Sequence, residues 1–251
     1  VSLFKALISI LYDLKHEREL TAEAGLCVVI PCSFTTADEF TPKHTVWYKC
    51  ETSQHSCSDD EIIFHSNKNT DKKAQAAFEG RVSRLEPDVS QNNCSIIIND
   101  LEESDSGSYQ LRVTGELNGK EDGFTFIPRV TVSVKGLSQK PTVMIPTLTE
   151  GQQATLTCTA PGLCSGSSFT QRHISTLTFN PSAEHHNTSV TCKINFTGGK
   201  STEETLTVHV NCEYFATSYL LFFPFSAFTK CHFKPCFLYF VFLLKNVRLF
   251  A

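Results

Sequence analysis

The stretch Cys94–Val113, Cys-Ser-Ile-Ile-Ile-Asn-Asp-Leu-Glu-Glu-Ser-Asp-Ser-Gly-Ser-Tyr-Gln-Leu-Arg-Val, restricts the possible folds more than any other part of this chain. Ile96, Ile98 and Leu101 followed by Asp105-x-Gly107-x-Tyr109 read as the end of one strand, a turn, and a second strand that opens with a tyrosine corner. Successive side chains on a strand face opposite ways. If Tyr109 and Leu111 point inward, Gln110 and Arg112 point out, and Cys94, sharing the parity of Ile96 and Ile98, faces the interior.

That pattern belongs to an all-β, immunoglobulin-like β-sandwich. Cys27–Cys32 reads as strand B, Thr45–Lys49 as strand C with the sole tryptophan, Trp47, in the core position, and Ile62–Phe64 as C′. Arg81–Leu85 is expected to be strand D, Cys94–Ile98 strand E, Tyr109–Thr114 strand F, Gly115–Gly119 a turn, and Phe124–Val134 strand G. Residues 20–135 thus form a V-type domain. A variable-type domain should carry a cysteine two residues after the corner tyrosine, and here Leu111 stands there instead.

A chain of 251 residues leaves room for a second unit. After the linker Gly136–Pro141, Gly151–Cys158 reads as another strand B, Ser175–Phe179 as E, Asn187–Cys192 as F and Glu203–Val210 as G. Cys158 and Cys192 lie close in sequence with no tryptophan between them, so residues 136–211 read as a truncated C2-type domain lacking strand C. Residues 1–19 look like an aberrant or truncated start, with a signal-peptide remnant as the second reading. Residues 212–251 form an apolar tail without strand alternation, read first as intron-derived and second as a poor membrane anchor, because neither apolar run reaches the roughly 20 residues a spanning helix needs.

Eleven cysteines in patterned strands favour an oxidising compartment. Cys32 and Cys94 share the interior, which gives a B-to-E bridge within one sheet; with no cross-sheet bridge the sheets can stand further apart. Cys27 faces the other way and needs a partner outside the domain core, for which Cys164 is the natural candidate. Cys158–Cys192 would close the second unit and Cys50–Cys57 a local loop, leaving Cys212, Cys231 and Cys236 over. Asn93, Asn187 and Asn195 head N-glycosylation sequons.

Gly-Leu-Cys27-Val-Val-Ile-Pro-Cys32-Ser-Phe, Cys94, Asp105-Ser-Gly-Ser-Tyr109-Gln-Leu-Arg112, and Cys158 followed by Pro-Gly-Leu-Cys164 resemble the sialic-acid-binding immunoglobulin-type lectins, the siglecs, nearest their myelin-associated glycoprotein and B-cell inhibitory receptor branches. The resemblance covers about residues 20–210. It implies an amino-terminal V-type domain that binds sialic acid, constant-type domains after it, and the same interdomain Cys27–Cys164 bridge. It also places Arg112 at the family's essential arginine. A planar guanidinium meets a carboxylate with two parallel charge-assisted hydrogen bonds, which lysine cannot copy. The competing reading is a surface arginine paired with a neighbouring acid.

In the family strand G completes the site, and the matching segment is Phe124-Thr125-Phe126; alternation lets either the two phenylalanines or Thr125 line it, and core packing is the competing role for the phenylalanines. Family members often add a strand A aromatic, for which this chain has no counterpart. Lys120 and Glu121 could touch the sugar, although solvation is the plainer role. The loop Glu51–Asp60, where members vary linkage preference, would be stiffened by Cys50–Cys57.

Other classes fit poorly. The net charge of −4 and pI near 6.1 disfavour nucleic acid. No nucleophile–base–carboxylate set suggests an enzyme. His185 and His186 are adjacent on an extended segment and point apart, and Cys231, His232 and Cys236 match no zinc spacing, so no metal or cofactor is expected. The expectation is therefore a cell-surface lectin for sialylated glycans on glycoproteins or gangliosides, acting in adhesion and immune-cell regulation. Its full-length parent would be membrane-attached, or the chain would be secreted if the tail is no anchor. The rival is a non-lectin adhesion or receptor fragment that binds a protein.

Overall fold

The structure is a computed structural model that describes residues 19–50, 57–126, 129–162, 164, 173–197, 199–211 and 240–247, the last as backbone. Every regular element among them longer than a single 3-10 turn is a strand. In the first unit these are β1 (Glu19–Glu23), β2 (Val28–Ile30), β3 (Phe40–Cys50), β4 (Ile62–His65), β5 (Val82–Arg84), β6 (Ile96–Ile98), β7 (Gly107–Leu117), β8 (Lys120–Thr125) and β9 (Val130–Lys135). One sheet runs β1-β9-β7-β3-β4, with β8 on the far part of β7, and β2-β6-β5 form the sheet packed against it. The chain is all-β with an immunoglobulin-like sandwich.

Between the sheets lie Trp47, Leu111, Tyr109, Phe34, Phe126, Ile96 and Ile98, all essentially without solvent contact. Trp47 Nε1 donates to Cys94 O (3.0 Å), so the indole N–H is satisfied in the core. Cys32 and Cys94, just after β2 and just before β6, are bridged, and Leu111 is buried in the same core. The tyrosine corner is present as a bond from the Tyr109 hydroxyl to Asp105 O. Burial, then the nearby Asp105 carboxylate, pushes the Tyr109 phenol well above its ordinary range.

Beneath the corner, Arg81 donates twice to Asp105, from Nη1 to Oδ2 at 2.7 Å and from Nη2 to Oδ1 at 3.0 Å, with its guanidinium over the Phe78 ring. The bond to Asp105 raises the Arg81 pKa against the opposing effect of burial. This fork closes the lower end of the sandwich.

Several elements differ from their sequence-based bounds. Strand C is longer, reaching back to Phe40. The expected turn at Gly115–Gly119 narrows to Asn118-Gly119, whose φ values of 51° and 72° suit a two-residue hairpin in which both positions need a left-handed backbone. Strand G divides into β8 and β9, which bond to different parts of β7. Phe126 N–H still reaches Leu111 O (3.0 Å), but its carbonyl accepts from the Gln110 side chain (2.7 Å).

The second unit holds β10 (Thr142–Met144), β11 (Leu148–Thr149), β12 (Ala154–Thr159), β13 (Ile174–Phe179), β14 (Ser189–Phe196), β15 (Ser201–Thr207) and β16 (Val210–Asn211). β12 pairs directly with β13, and Cys158–Cys192 links β12 to β14. The tail supplies a strand that its composition did not suggest. Phe240–Val247 (β17) lies parallel to β14, with Cys192 opposite Phe242. An edge left without a neighbour exposes backbone donors and acceptors, and an extended segment satisfies them whatever its side-chain pattern.

The two units share a core. Cys27, Val29, Leu26 and Ile97 on the outer side of β2-β6-β5 pack with Cys158, Cys164, Cys192, Ile194 and Phe196. The Cys27–Cys164 bridge joins them covalently. Gly25, at φ +85°, sits where an added Cβ would meet Lys200 Cβ at 3.1 Å, so the turn before β2 needs glycine both for its backbone and for the close approach.

Candidate functional site

With β2-β6-β5 covered by the second unit, the candidate face is the outer one of the larger sheet, where Arg112, Thr114, Thr125, His44 and His65 are half-buried while Val46, Tyr48, Ile62 and Gln110 are buried. Cross-strand register orders its side chains in rows. Thr125, Arg112, Val46 and His65 form one row across β8, β7, β3 and β4. Gly123, Thr114 and His44 form the next, and Gln110, Tyr48 and Ile62 lie on the other side.

Arg112 is half-buried on this face. Its Nη1 donates to Thr125 Oγ1 (2.9 Å), and among the described residues it takes part in no ion pair. This contrasts with Arg81, fully committed to Asp105. Gly123 lies close under the Arg112 guanidinium: an added Cβ there would stand 2.8 Å from Nη2 and 3.2 Å from Cζ. Val46 and Tyr48 form the apolar side of the cradle with Ile62 and Cys50. Burial raises the Tyr48 pKa, and the Arg112 charge partly opposes it.

Phe124 and Phe126 lie on the opposite side of β8 from Arg112. Phe126 is buried among the core residues, Phe124 packs against the same core, and the two rings meet edge to face at 4.9 Å. Of the three strand G residues, Thr125 alone shares the Arg112 face, because alternation cannot present both sets. Lys120 and Glu121 are exposed at the hairpin tip.

Cys50 and Cys57 are bridged beside this face, and residues 51–56 of their loop lie outside the described residues. Gln110 is nearly buried between them and strand G: Oε1 lies 2.7 Å from Cys57 Sγ, and Nε2 donates to Phe126 O. Gln110, Gly123 and Tyr48 did not emerge from the sequence as residues around Arg112. Strand alternation assigns each to a face but gives no register between strands, and it is register that makes them neighbours of Arg112.

The remaining sequence expectations fall elsewhere. Asn187 is exposed and Asn195 half-buried, whereas Asn93 accepts the Ser95 N–H (2.8 Å) beside the bridged Cys94. The His185 ring contacts Ser182 while His186 turns to Val210, and among the described residues no group of side chains could hold a metal. Cys212, Cys231, His232 and Cys236 lie outside the described residues.

Chemically, the face offers a half-buried cation with spare donors beside a threonine hydroxyl, which suits a carboxylate. Residues 15–135 match the immunoglobulin V-set domain family. The chain is 28% identical over 228 residues to human sialic acid-binding Ig-like lectin 5, covering 81% of this chain and 39% of that protein. It is 30% identical over 230 residues to human sialic acid-binding Ig-like lectin 8, covering 80% and 44%, and 30% identical over 223 residues to mouse myeloid cell surface antigen CD33, covering 79% and 52%. The chain therefore spans about two-fifths to one half of the length of these relatives.

Proposed function

Because this chain belongs to the siglec family of immunoglobulin-type lectins, we propose that it is an extracellular lectin that binds terminal sialic acid through Arg112. Residues 20–135 act as the V-type binding domain, and residues 136–211 as a truncated C2-type domain that supports it. The family consists of non-enzymatic receptors, and this protein is not an enzyme.

The observation that carries the reading is an outer-face guanidinium held by one neutral hydroxyl and by no carboxylate among the described residues. An arginine kept for stability would be expected to resemble Arg81, with its charge met inside the protein. The sugar's carboxylate, ionised at neutral pH, would take the unused donors bidentately. One monosaccharide buries little surface, so single-site affinity is weak and adhesion depends on clustered sites.

Ligands are sialylated glycans of glycoproteins or gangliosides, met at the cell surface or by a secreted form, with roles in adhesion and immune-cell regulation. Among the described residues no helix is long and apolar enough to cross a membrane. The test is binding of the full chain to sialylated glycans displayed at high density, before and after neuraminidase. Neuraminidase and Arg112→Ala should each abolish binding, and Arg112→Lys should reduce it strongly. Binding that survives both neuraminidase and Arg112→Ala refutes the lectin reading and points to a protein ligand.

A further inference from the structure

The outer face of the larger sheet carries two imidazoles that the lectin reading does not use. His65 on β4 stands directly across from Val46, the cross-strand partner of Arg112, and His44 stands across from Thr114 on the adjacent row. Both are half-buried, with ring centroids 6.2 Å apart and planes inclined at 45°. Sheet geometry sets His44 diagonal to Arg112 at about 7 Å. It sets His65 two strands away, at about 10 Å. A sugar anchored at Arg112 and extending across β3 would pass over both rings.

We propose that His44 and His65 form an anion subsite, continuous with the Arg112 site, that gains charge on acidification and tightens the hold on acidic glycans. The inference rests on the sialic-acid reading. Its chemistry is that of any imidazole pair: a neutral ring offers one N–H donor, and a protonated ring offers two together with a positive charge.

The surrounding charges leave room for such a response. From β3 and β7, Lys43 pairs with Glu116; from the segments before and after β4, Asp59 pairs with Lys72 at 2.9 Å. Glu121 on β8 stands opposite Glu116, towards the hairpin tip and several residues along the strand from Arg112. Tyr48 and Thr114 supply no charge near neutrality. Within this part of the face Arg112 is therefore the cation without an acid partner among the described residues, and a proton on either histidine adds to it.

His65 is held back from taking that proton at neutral pH. Burial first, then His44 and Lys72, keep its pKa below the usual imidazole range. Its Nδ1 accepts the Asn67 N–H (3.0 Å), which places the hydrogen of the neutral ring on Nε2, so that charging His65 requires this bond to be given up. A bound carboxylate would act in the opposite direction, so ligand and proton would assist each other, as linkage requires.

The experiment measures binding of the full chain to a multivalent sialoside at pH 7.4 and pH 5.5, where the sugar carboxylate stays ionised. Melting temperature is recorded at both pH values, to confirm folding. One added charge at this distance, at a partly solvated surface, should tighten binding about threefold at the lower pH. His44→Gln with His65→Gln should abolish that gain while leaving neuraminidase-sensitive binding at pH 7.4. A wild-type protein that binds equally at both pH values, or a double variant that keeps the gain, overturns the subsite and leaves the lectin reading standing. Absence of neuraminidase-sensitive binding at either pH overturns both.

Discussion

Gly123→Ala tests whether the Arg112 guanidinium is held in place by what lies beneath it. The new Cβ would stand 2.8 Å from Nη2, 3.2 Å from Cζ and 3.1 Å from Thr114 Cγ2. The first two are the end of a flexible side chain, so the guanidinium should swing aside, breaking its bond to Thr125. Gly123 does not occupy the left-handed region, and an alanine backbone fits there. Stability should therefore change little: about 0.4–1 kcal/mol gained from a less flexible unfolded chain offsets one exposed hydrogen bond of about 1 kcal/mol. Binding should suffer more. Displacing one of two charge-assisted bonds costs about 1.5 kcal/mol, which is roughly tenfold in affinity. Sialoside binding and urea unfolding measured on the same samples separate the two effects. Gly119→Ala is the converse control, since Gly119 has φ +72° and open space around it, and should lose stability without losing affinity. Unchanged binding by Gly123→Ala, or a stability loss above about 2 kcal/mol, would refute the argument, because the strain would then be absorbed somewhere other than the guanidinium.

Arg81→Ala should destabilise by about 3–5 kcal/mol in urea unfolding, since Asp105 would be left buried without its partner, while affinity per folded molecule stays the same. Gln110→Leu should cost about 1–3 kcal/mol by leaving Phe126 O unsatisfied. If Gln110 also transmits the position of the Cys50–Cys57 loop to strand G, its effect on sialoside binding should vanish in a Cys50→Ser, Cys57→Ser background; additive losses in that cycle would show that no such coupling exists.

The first unit was legible where period and chemistry coincide. Tyr109, Leu111 and Cys94 could be assigned to the core from parity alone, and Arg112 to the face, because one wrong register would have buried a guanidinium. Strand G was less legible. Phe124 to Val134 alternate well enough to read as one strand, yet the change of pairing near Phe126 depends on a side-chain amide from Gln110 that no local pattern announces. For the same reason the choice between the phenylalanines and Thr125 stayed open until their partners on β7 were known. β17 was illegible for a different reason: its place beside β14 answers an unfilled sheet edge, a property of residues 189–196 and not of its own composition.

The run Cys27-Val-Val-Ile carries a further consequence. All four residues are buried, which alternation with one wet face does not produce; a strand buried on both sides reads as a continuous apolar run. Val28 and Ile30 serve the sandwich, whereas Cys27 and Val29 serve the core shared with the second unit. Ile96, Ile97 and Ile98 divide in the same way. Two apolar strands thus commit the β2-β6-β5 sheet to the neighbouring unit, and the Cys27–Cys164 bridge fixes that commitment. Only the other sheet can then present an outward residue such as Arg112 to a ligand. An arginine placed outward on β2 or β6 would be trapped in the shared core, where an unpaired charge costs several kcal/mol; on β7 the same residue stays accessible. The position of the candidate site thus follows from which sheet the second unit covers, and a truncated second unit can fulfil that role as long as Cys164, Ile194 and Phe196 remain in place.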